Sequence, residues 1–399
     1  MSESGPDMNE KAPATFPTDR KDNPAMPAPG RIAFLEKVFL CRRSKVCALR
    51  GVELFNLRLL RELAALGRPV TLFLDISWRE TAEAFLAEGG PPLAPVRIVS
   101  VDGGGSGLLA GFLAAFAIRR EARNGGVFDA LLLGNVANRL VPAIRLLRAG
   151  RDFRRMVLMA HRETSKRFLR AIRRLPGHVI AVCDKVAAPF RAPDVVAATH
   201  VDYGIPEADS FHPSDVPHSP DAPVRFVVLG ALDNAWKGAD TALAAFRLLP
   251  PEVRVRCELH LAAYANPPSF PDDPGVRPYA WLDSAAMPDL LRSMDVMLLP
   301  SRDEAVMRET FSQAAVQGML TKLPCVHTPL PVLAEKFDQG GGIEADSPER
   351  FASAMERLAI SPDMRDRLGA EARKTALARY VWDTDRFCRR YLNETVPVQ

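Results

Sequence analysis

From residue 31 onward, short apolar and β-branched runs alternate with longer segments in which apolar positions recur every three or four residues. The short runs predict strands at RIAFLEKV (31–38), PVTLFLD (69–75), VRIVSVD (96–102), DALLLG (129–134), RMVLMA (155–160) and HVIAVC (178–183). Between them the helical period takes over, as in VELFNLRLLRELAALG (52–67), which closes on a glycine suited to a left-handed helix end. Near-continuous apolar strands separated by helices imply a parallel sheet covered on both faces. The stretch PSDVPHSPDAP (213–223) then interrupts the alternation with four prolines and reads as an interdomain linker.

A second alternating series starts at VRFVVLG (224–230). It continues through a helix near 238–248, strands at VRCELHLAA (255–263) and DVMLLP (295–300) with a helix near 284–293 between them, and a helix beginning near 311. The strand PCVHT (324–328) and three further helical segments complete it. The pattern predicts an α/β protein of two doubly wound, Rossmann-like domains facing a cleft, at 31–212 and 224–381. Residues 382–399 form a C-terminal helix placed to cross back to the first domain. The length agrees, because single cores seldom grow past ~250–300 residues. In open α/β sheets ligands bind beyond the carboxyl ends of the strands, so candidate chemistry is sought there.

Composition narrows the class. Residues 1–30 are rich in proline, serine and charge without an apolar stretch, which predicts a disordered tail and no signal peptide. The longest apolar run, GLLAGFLAAFAI (107–118), falls short of the ~20 residues that span a bilayer. The six cysteines form no CxxC pair, so reduced core thiols are expected rather than a zinc site. Net charge is only +4, but residues 139–174 hold twelve Lys or Arg against Asp152 and Glu163. Within that window KRFLRAIRRL (166–175) has Phe168, Leu169, Ile172 and Leu175 at helical spacing. Either this helix lies on an anionic membrane surface, or it is a solvated helix whose apolar stripe faces the core. Nucleic-acid binding is not expected, for the basic window lacks interleaved aromatics and any known motif.

The segment GSGLLA (105–110) fits G-x-G-x-x-A behind a strand, yet it follows the third strand rather than the first. The strand after it ends in Gly134 and Asn135, without the acid that a dinucleotide site requires. A glycine-rich turn into a close-packed helix explains it better.

In the second half, ETFSQAAVQGMLTKLPCV (309–326) aligns without a gap to E-G-F-G-x-x-x-x-E-A-M-A-x-G-x-P-V-V. That motif belongs to the retaining nucleotide-sugar glycosyltransferases of the GT-B fold with an E-x7-E signature, the glycosyl transferases group 1 family, which this chain resembles. LGALDNAWKGADTALAAF (229–246) is similar to the family's G-R-L-x-x-x-K-G segment, and SAAMPDLLRSMDVMLLPS (284–301) to its helix followed by the D-V and P-S strand. VDYGIPEADSFHP (201–213) resembles N-G-V-D-x-x-x-F-x-P, and the closing Y-x-W also matches.

The resemblance assigns roles. Glu309 corresponds to the carboxylate that holds hydroxyls of the transferred sugar. Glu304 competes through PSRDE, but Ser312 stands eight residues after it, so the downstream register favours Glu309. Lys237, followed by Gly238, would neutralise the donor diphosphate, whereas without the flanking pattern it would read as a solvated lysine. The helix start at Phe311 and Ser312 offers unpaired amides and a positive dipole end to the same phosphates, with Ser312 as N-cap. Gly51, at a helix start in the first domain, would face the diphosphate across the cleft. His161, at a strand end, resembles a histidine that contacts the donor sugar; a packed core histidine is the alternative. Gln317 replaces the second glutamate, which accepts from the ribose hydroxyls. An amide offers one neutral carbonyl, so ribose binding persists but weakens. Ala231 replaces an arginine that assists Lys237.

The expected function is therefore transfer of a sugar, with retention, from a nucleotide-diphosphate sugar to a hydroxyl on a glycan or lipid-linked acceptor, in cell-envelope or exopolysaccharide synthesis. No cofactor and no metal are implied, the nucleotide sugar being a co-substrate. The expected place is the cytoplasm, peripheral on the inner face of the membrane through 139–174. A GT-B scaffold that binds a nucleotide sugar or a protein partner without turnover is the alternative, and a sugar-nucleotide epimerase a fainter third.

Overall fold

A computed structural model describes residues 30–45, 51–87, 96–206, 208–215, 219, 221–263, 273–279, 286–302 and 309–393. Residues 1–29, Cys47, part of the linker and the competing Glu304 lie outside the described residues.

The first sheet holds β1 (Ile32–Leu35), β2 (Val70–Asp75), β3 (Arg97–Val101), β4 (Phe128–Leu133), β5 (Phe153–Ala160), β6 (Gly177–Ala181) and β7 (Ala198–Val201). Its spatial order is β3-β2-β1-β4-β5-β6-β7, with every pairing parallel. Ile32 pairs with Val70 on one side and Ala130 on the other, so β1 is central and buried on both faces. Its connecting helices are α1 (Gly51–Ala65), α2 (Arg79–Ala87), α3 (Gly107–Gly125), α4 (Val141–Leu146), α5 (Lys166–Ile172) and α6 (Asp184–Ala187).

Helix α1 shows how pattern becomes packing. Phe55, Leu59, Leu60 and Leu63 recur at helical spacing and are all buried, each contributing about 1.5–3 kcal/mol of apolar burial. The helix stops where Gly67 takes φ +73°. Its amide donates to the Ala64 carbonyl and that of Arg68 to Leu63, which satisfies two of the last carbonyls.

The second sheet has the order β10-β9-β8-β11-β12-β13, again all parallel. Its strands are β8 (Val224–Gly230), β9 (Cys257–Ala263), β10 (Val276–Tyr279), β11 (Val296–Leu299), β12 (Cys325–His327) and β13 (Gly342–Glu344). Around it lie α7 (Ala239–Leu248), α8 (Pro251–Arg254), α9 (Met287–Arg292), α10 (Gln313–Leu320), α11 (Pro331–Lys336), α12 (Pro348–Ile360) and α13 (Pro362–Arg379). Phe226, Leu259 and Leu298 of this sheet pack with Phe246 of α7 and Phe351 and Met355 of α12 in one core. The architecture is two parallel-sheet, Rossmann-like α/β domains.

After α13 the chain returns to the first domain. The Ile205 amide donates to the Tyr380 carbonyl and the Trp382 amide to the Ile205 carbonyl. Trp382 then lies edge-on to Phe55 of α1, and α14 (Thr384–Phe387) follows, with the Thr384 hydroxyl bonded to Glu62. Further on, the Tyr391 hydroxyl donates to Asp202 at 2.7 Å.

Among the described residues no helix is long and apolar enough to cross a membrane. Five cysteines, 41, 183, 257, 325 and 388, are buried free thiols. Of the two readings of α5 the second holds: Phe168 and Ile172 are fully buried, so its apolar face belongs to the core and the cations Lys166, Arg167 and Arg170 face outward.

Candidate functional site

In a doubly wound sheet the crevice opens where strand order reverses, between the two strands whose connections leave in opposite directions. In the second sheet that point lies between β8 and β11. Both strands deliver a candidate residue there. β8 runs into a turn through Ala235–Lys237, and β11 into Ser301. The Lys237 ammonium donates to Glu309 Oε2 at 2.5 Å, and the Ser301 hydroxyl lies 3.4 Å from the same oxygen. Both charged side chains are mostly shielded, at 14% and 9% exposure.

Local structure holds the lysine in place. Gly238 ends its turn in the left-handed region at φ 72°, and an added Cβ there would collide with the Pro300 carbonyl. The Arg302 amide donates to the Trp236 carbonyl at 2.7 Å, and the Arg302 guanidinium forks onto both oxygens of Asp240 at 3.0 Å. The lysine turn is thereby tied to the segment that leads towards Glu309. Lys237 Nζ also sits 4.4 Å from the Trp236 ring centroid.

Helix α10 starts beside this pair, and its beginning differs from expectation. Ser312 occupies the N-cap position at φ 57°, ψ 75°, and its side chain makes no capping bond. A backbone turned to positive φ suits glycine, so serine here carries strain instead of a cap. The Phe311 side chain does not face the crevice either. It is buried edge-on to Tyr203 at 4.6 Å, with the Lys336 ammonium 4.2 Å from its ring centroid. The Phe311 ring is thus withdrawn, and its main-chain atoms and Ser312 are left for a ligand.

The two domains meet at this helix start. The Thr310 hydroxyl donates to the His161 carbonyl at 2.9 Å. Gln313 Nε2 reaches the Gly51 carbonyl at 3.3 Å and the Tyr203 hydroxyl at 3.4 Å. Gly51 opens α1, and a Cβ there would collide with the Gln313 side chain. The starts of α1 and α10 therefore confront each other, with Gln313 filling the gap in which sequence reasoning set a diphosphate.

His161 is buried edge-on between Phe55 and Tyr203, and burial lowers its pKa to about 3, with the Lys37 charge adding to the effect. It is a neutral imidazole at physiological pH. Among the described residues nothing bonds to its Nε2, nor to Oε1 of Gln317, which is 4% exposed on the second turn of α10. A buried acceptor without a donor is costly unless a ligand hydroxyl supplies one.

One neighbour that sequence reasoning missed is Lys336. Lys336 is 2% exposed, and burial lowers its pKa to about 8 despite the opposing effects of Glu335 and Glu309. Its ammonium rests on Phe311 and Tyr380, at 4.2 and 4.4 Å from the ring centroids. Nothing around the stretch PVLAEKF announces this, for lysine at a helix end is ordinarily a surface residue.

The first sheet has its own reversal point, between β1 and β4, and a cavity of about 670 Å³ opens there. Lys37 follows β1, Arg139 follows β4 and Arg162 follows β5, and all three line it together with Cys41, Gly107 and Leu108. The glycine-rich turn at 105–107 thus forms a wall of this cavity.

Residues 223–360 match the family model described as glycosyl transferases group 1. No curated protein sequence matches the chain. Among solved structures, a glycosyltransferase from Rickettsia africae superposes with TM-score 0.65 at 12% identity, over 89% of this chain and 95% of that one. Sucrose-phosphate synthase from Thermosynechococcus elongatus gives 0.63 at 15%, over 89% and 95%. HepE from Anabaena, solved with UDP and glucose, gives 0.60 at 15%, over 88% and 95%. These likenesses establish the fold, GT-B, over 88–89% of the chain.

Proposed function

We propose that this protein transfers a glycosyl group, with retention, from a nucleotide-diphosphate sugar to a hydroxyl acceptor. The observation that carries the reading is the Lys237–Glu309 pair, set at the crevice of the second sheet and beside the start of α10. It lies inside the segment that matches the glycosyl transferases group 1 model. The bound UDP and glucose of HepE, on the same fold, support a nucleotide-sugar donor.

In this mechanism the leaving diphosphate takes Glu309's place against Lys237, and the main-chain amides at the start of α10 receive its other oxygens. Charge developing on the leaving group meets a preformed cation and dipole in a shielded site, which lowers the barrier without covalent help. Glu309, released from the lysine, accepts from sugar hydroxyls. The neutral His161 presents Nε2 to the sugar, and Gln317 Oε1 receives one ribose hydroxyl. Closure of the two domains aligns sugar and acceptor, and proximity supplies the remainder. No cofactor and no metal enter the scheme.

The test is transfer with an identified UDP- or GDP-linked donor. Glu309→Ala and Lys237→Ala should each abolish most turnover; unchanged turnover in both would overturn the assignment. A scaffold that binds the donor without turnover is the second reading, favoured by Gln317 and by Ala231 in place of charged residues. Nucleotide binding without acceptor-dependent release would select it.

The same reading places the protein in the cytoplasm, peripheral on the inner membrane face, in envelope or exopolysaccharide synthesis on a lipid-linked or glycan acceptor. Support comes from α3, where Leu108, Leu109, Phe112 and Phe116 lie exposed along one side. α3 packs on α4 and α4 on α5, and Arg145, Arg148, Lys166, Arg167 and Arg170 are exposed on or beside these neighbouring helices. An apolar stripe bordered by cations suits an anionic bilayer. Sedimentation with anionic vesicles should fall with rising salt and with Phe112→Ser plus Phe116→Ser; binding indifferent to lipid charge would refute it.

A further inference from the structure

The cavity of the first domain has a chemistry that the donor site does not use. Among the described residues three cations, Lys37, Arg139 and Arg162, line it, and none of the lining residues is acidic. They arrive on three separate loops, after β1, β4 and β5, so no single helix or local charge run explains their convergence. Their fixed partners do not neutralise them. Arg162 Nε donates to the Val136 carbonyl, and Arg139 Nη1 approaches the Cys41 sulfur at 2.5 Å. Arg162 and Arg139 both remain exposed towards solvent.

Two acids lie near Lys37. Glu36, beneath it, is fully buried, and burial reinforced by Glu53 raises its carboxyl pKa to about 8, so it is mostly protonated at neutral pH. Glu53 is the remaining carboxylate, one against three cations. Burial lowers the Lys37 pKa and the nearby Arg162 charge pulls it the same way, against the opposing pull of Glu36, Glu53 and Cys41.

The cavity also sits beside the proposed reaction centre. Arg162 directly follows His161, whose carbonyl takes the Thr310 hydroxyl next to Glu309.

We infer that this cavity binds a phosphate group of the acceptor, with Arg139 and Arg162 as the principal contacts and Lys37 as a third. The role of the ligand as acceptor rests on the transferase reading; the anion site itself does not. Planar guanidinium groups pair with phosphate through two bonds at once, which gives the site orientation as well as affinity. The acceptor would then be a phosphorylated sugar or a phosphate-bearing lipid.

Calorimetry on the full chain separates these points. The probes are glucose 6-phosphate, glucose, UDP, and phosphatidylcholine vesicles with and without phosphatidic acid. At least one phosphate source should bind, and glucose should not. Arg139→Gln and Arg162→Gln should each weaken that binding by about tenfold or more while leaving UDP within twofold. Lys237→Gln should do the reverse. Arg162→Lys should restore part of the loss, which a folding defect would not allow.

Response to glucose 6-phosphate assigns a soluble acceptor, and response only to phosphatidic acid vesicles a lipid one. If neither source binds, or if binding ignores both arginines, the inference is overturned. If phosphate binding follows the arginines but UDP ignores Lys237, the anion site stands and the donor assignment falls.

Discussion

In the unliganded protein Lys237 is already occupied, and this gives a sharp prediction for Glu309→Gln. At 2.5 Å and an effective dielectric of about 20, the gross attraction of the pair is about 7 kcal/mol. Desolvation returns most of that, and a hydrogen bond to a charged partner retains a net ~1.5–3 kcal/mol. A diphosphate that binds Lys237 must first displace the carboxylate and forfeit this sum. Glutamine keeps the shape of the side chain and removes the charge, so the forfeit largely disappears. UDP or GDP without a sugar should then bind about tenfold or more tightly, since ~1.4 kcal/mol is a factor of ten. Transfer should move the other way, by at least about tenfold, because the acid that positions the sugar is gone. Titration calorimetry of parent and variant with both nucleotides reads the first effect. Equal or weaker nucleotide binding in the variant, with Lys237→Ala abolishing binding in both backgrounds, would refute the competition described here.

The remaining predictions concern stability. Glu36 has its pKa raised to about 8 from an ordinary value near 4.5, so the folded state binds a proton that the unfolded state releases, and stability falls as pH rises between those values. At pH 7 the cost is about 3 kcal/mol, and Glu36→Gln should raise the urea midpoint far more at pH 8 than at pH 5. A parallel gain at both pH values would count against it. Ser312→Gly should stabilise by about 1 kcal/mol, since glycine accepts φ 57° without a Cβ penalty, and a lowered melting temperature would contradict that. Gly51→Ala should cost less than about 1 kcal/mol, since only the flexible amide end of Gln313 has to swing aside, and a melting temperature lowered as far as a core overpacking variant's would contradict that.

Strong strands could be read directly from the chain. β2, β5 and β8 are apolar runs of 6, 8 and 7 residues, and each formed within a few residues of where periodicity set it. Three strands escaped. β10 is a four-residue edge containing Pro278, β13 has three residues behind Gly340 and Gly341, and β7 reads ATHV with two exposed positions. Short edge strands carry no alternation long enough to register, and neighbouring strands decide them. The pairing of residues 237 and 309 was accessible because each lies in a motif with its own local signature. Gln313 was not, because its importance arises from Gly51, far away in the chain. The cations at 37, 139 and 162 were equally hidden, since only the order of strands in the sheet gathers them. Charge counting did detect two of the three as part of a basic window, but not the cavity they share with Lys37.

The return of the chain past Ile205 has a mechanical meaning. Where residues 204–205 run beside 380–382, a side chain on Gly204 would strike the Tyr380 carbonyl and the backbone of Val381 and Trp382. Two passages of polypeptide are thus pressed into a single two-ply ribbon between the lobes. So tight a contact, tied by the bonds between Ile205 and residues 380 and 382, fixes where the second lobe is fastened to the first. Bulk at position 204 would prise the two passages apart.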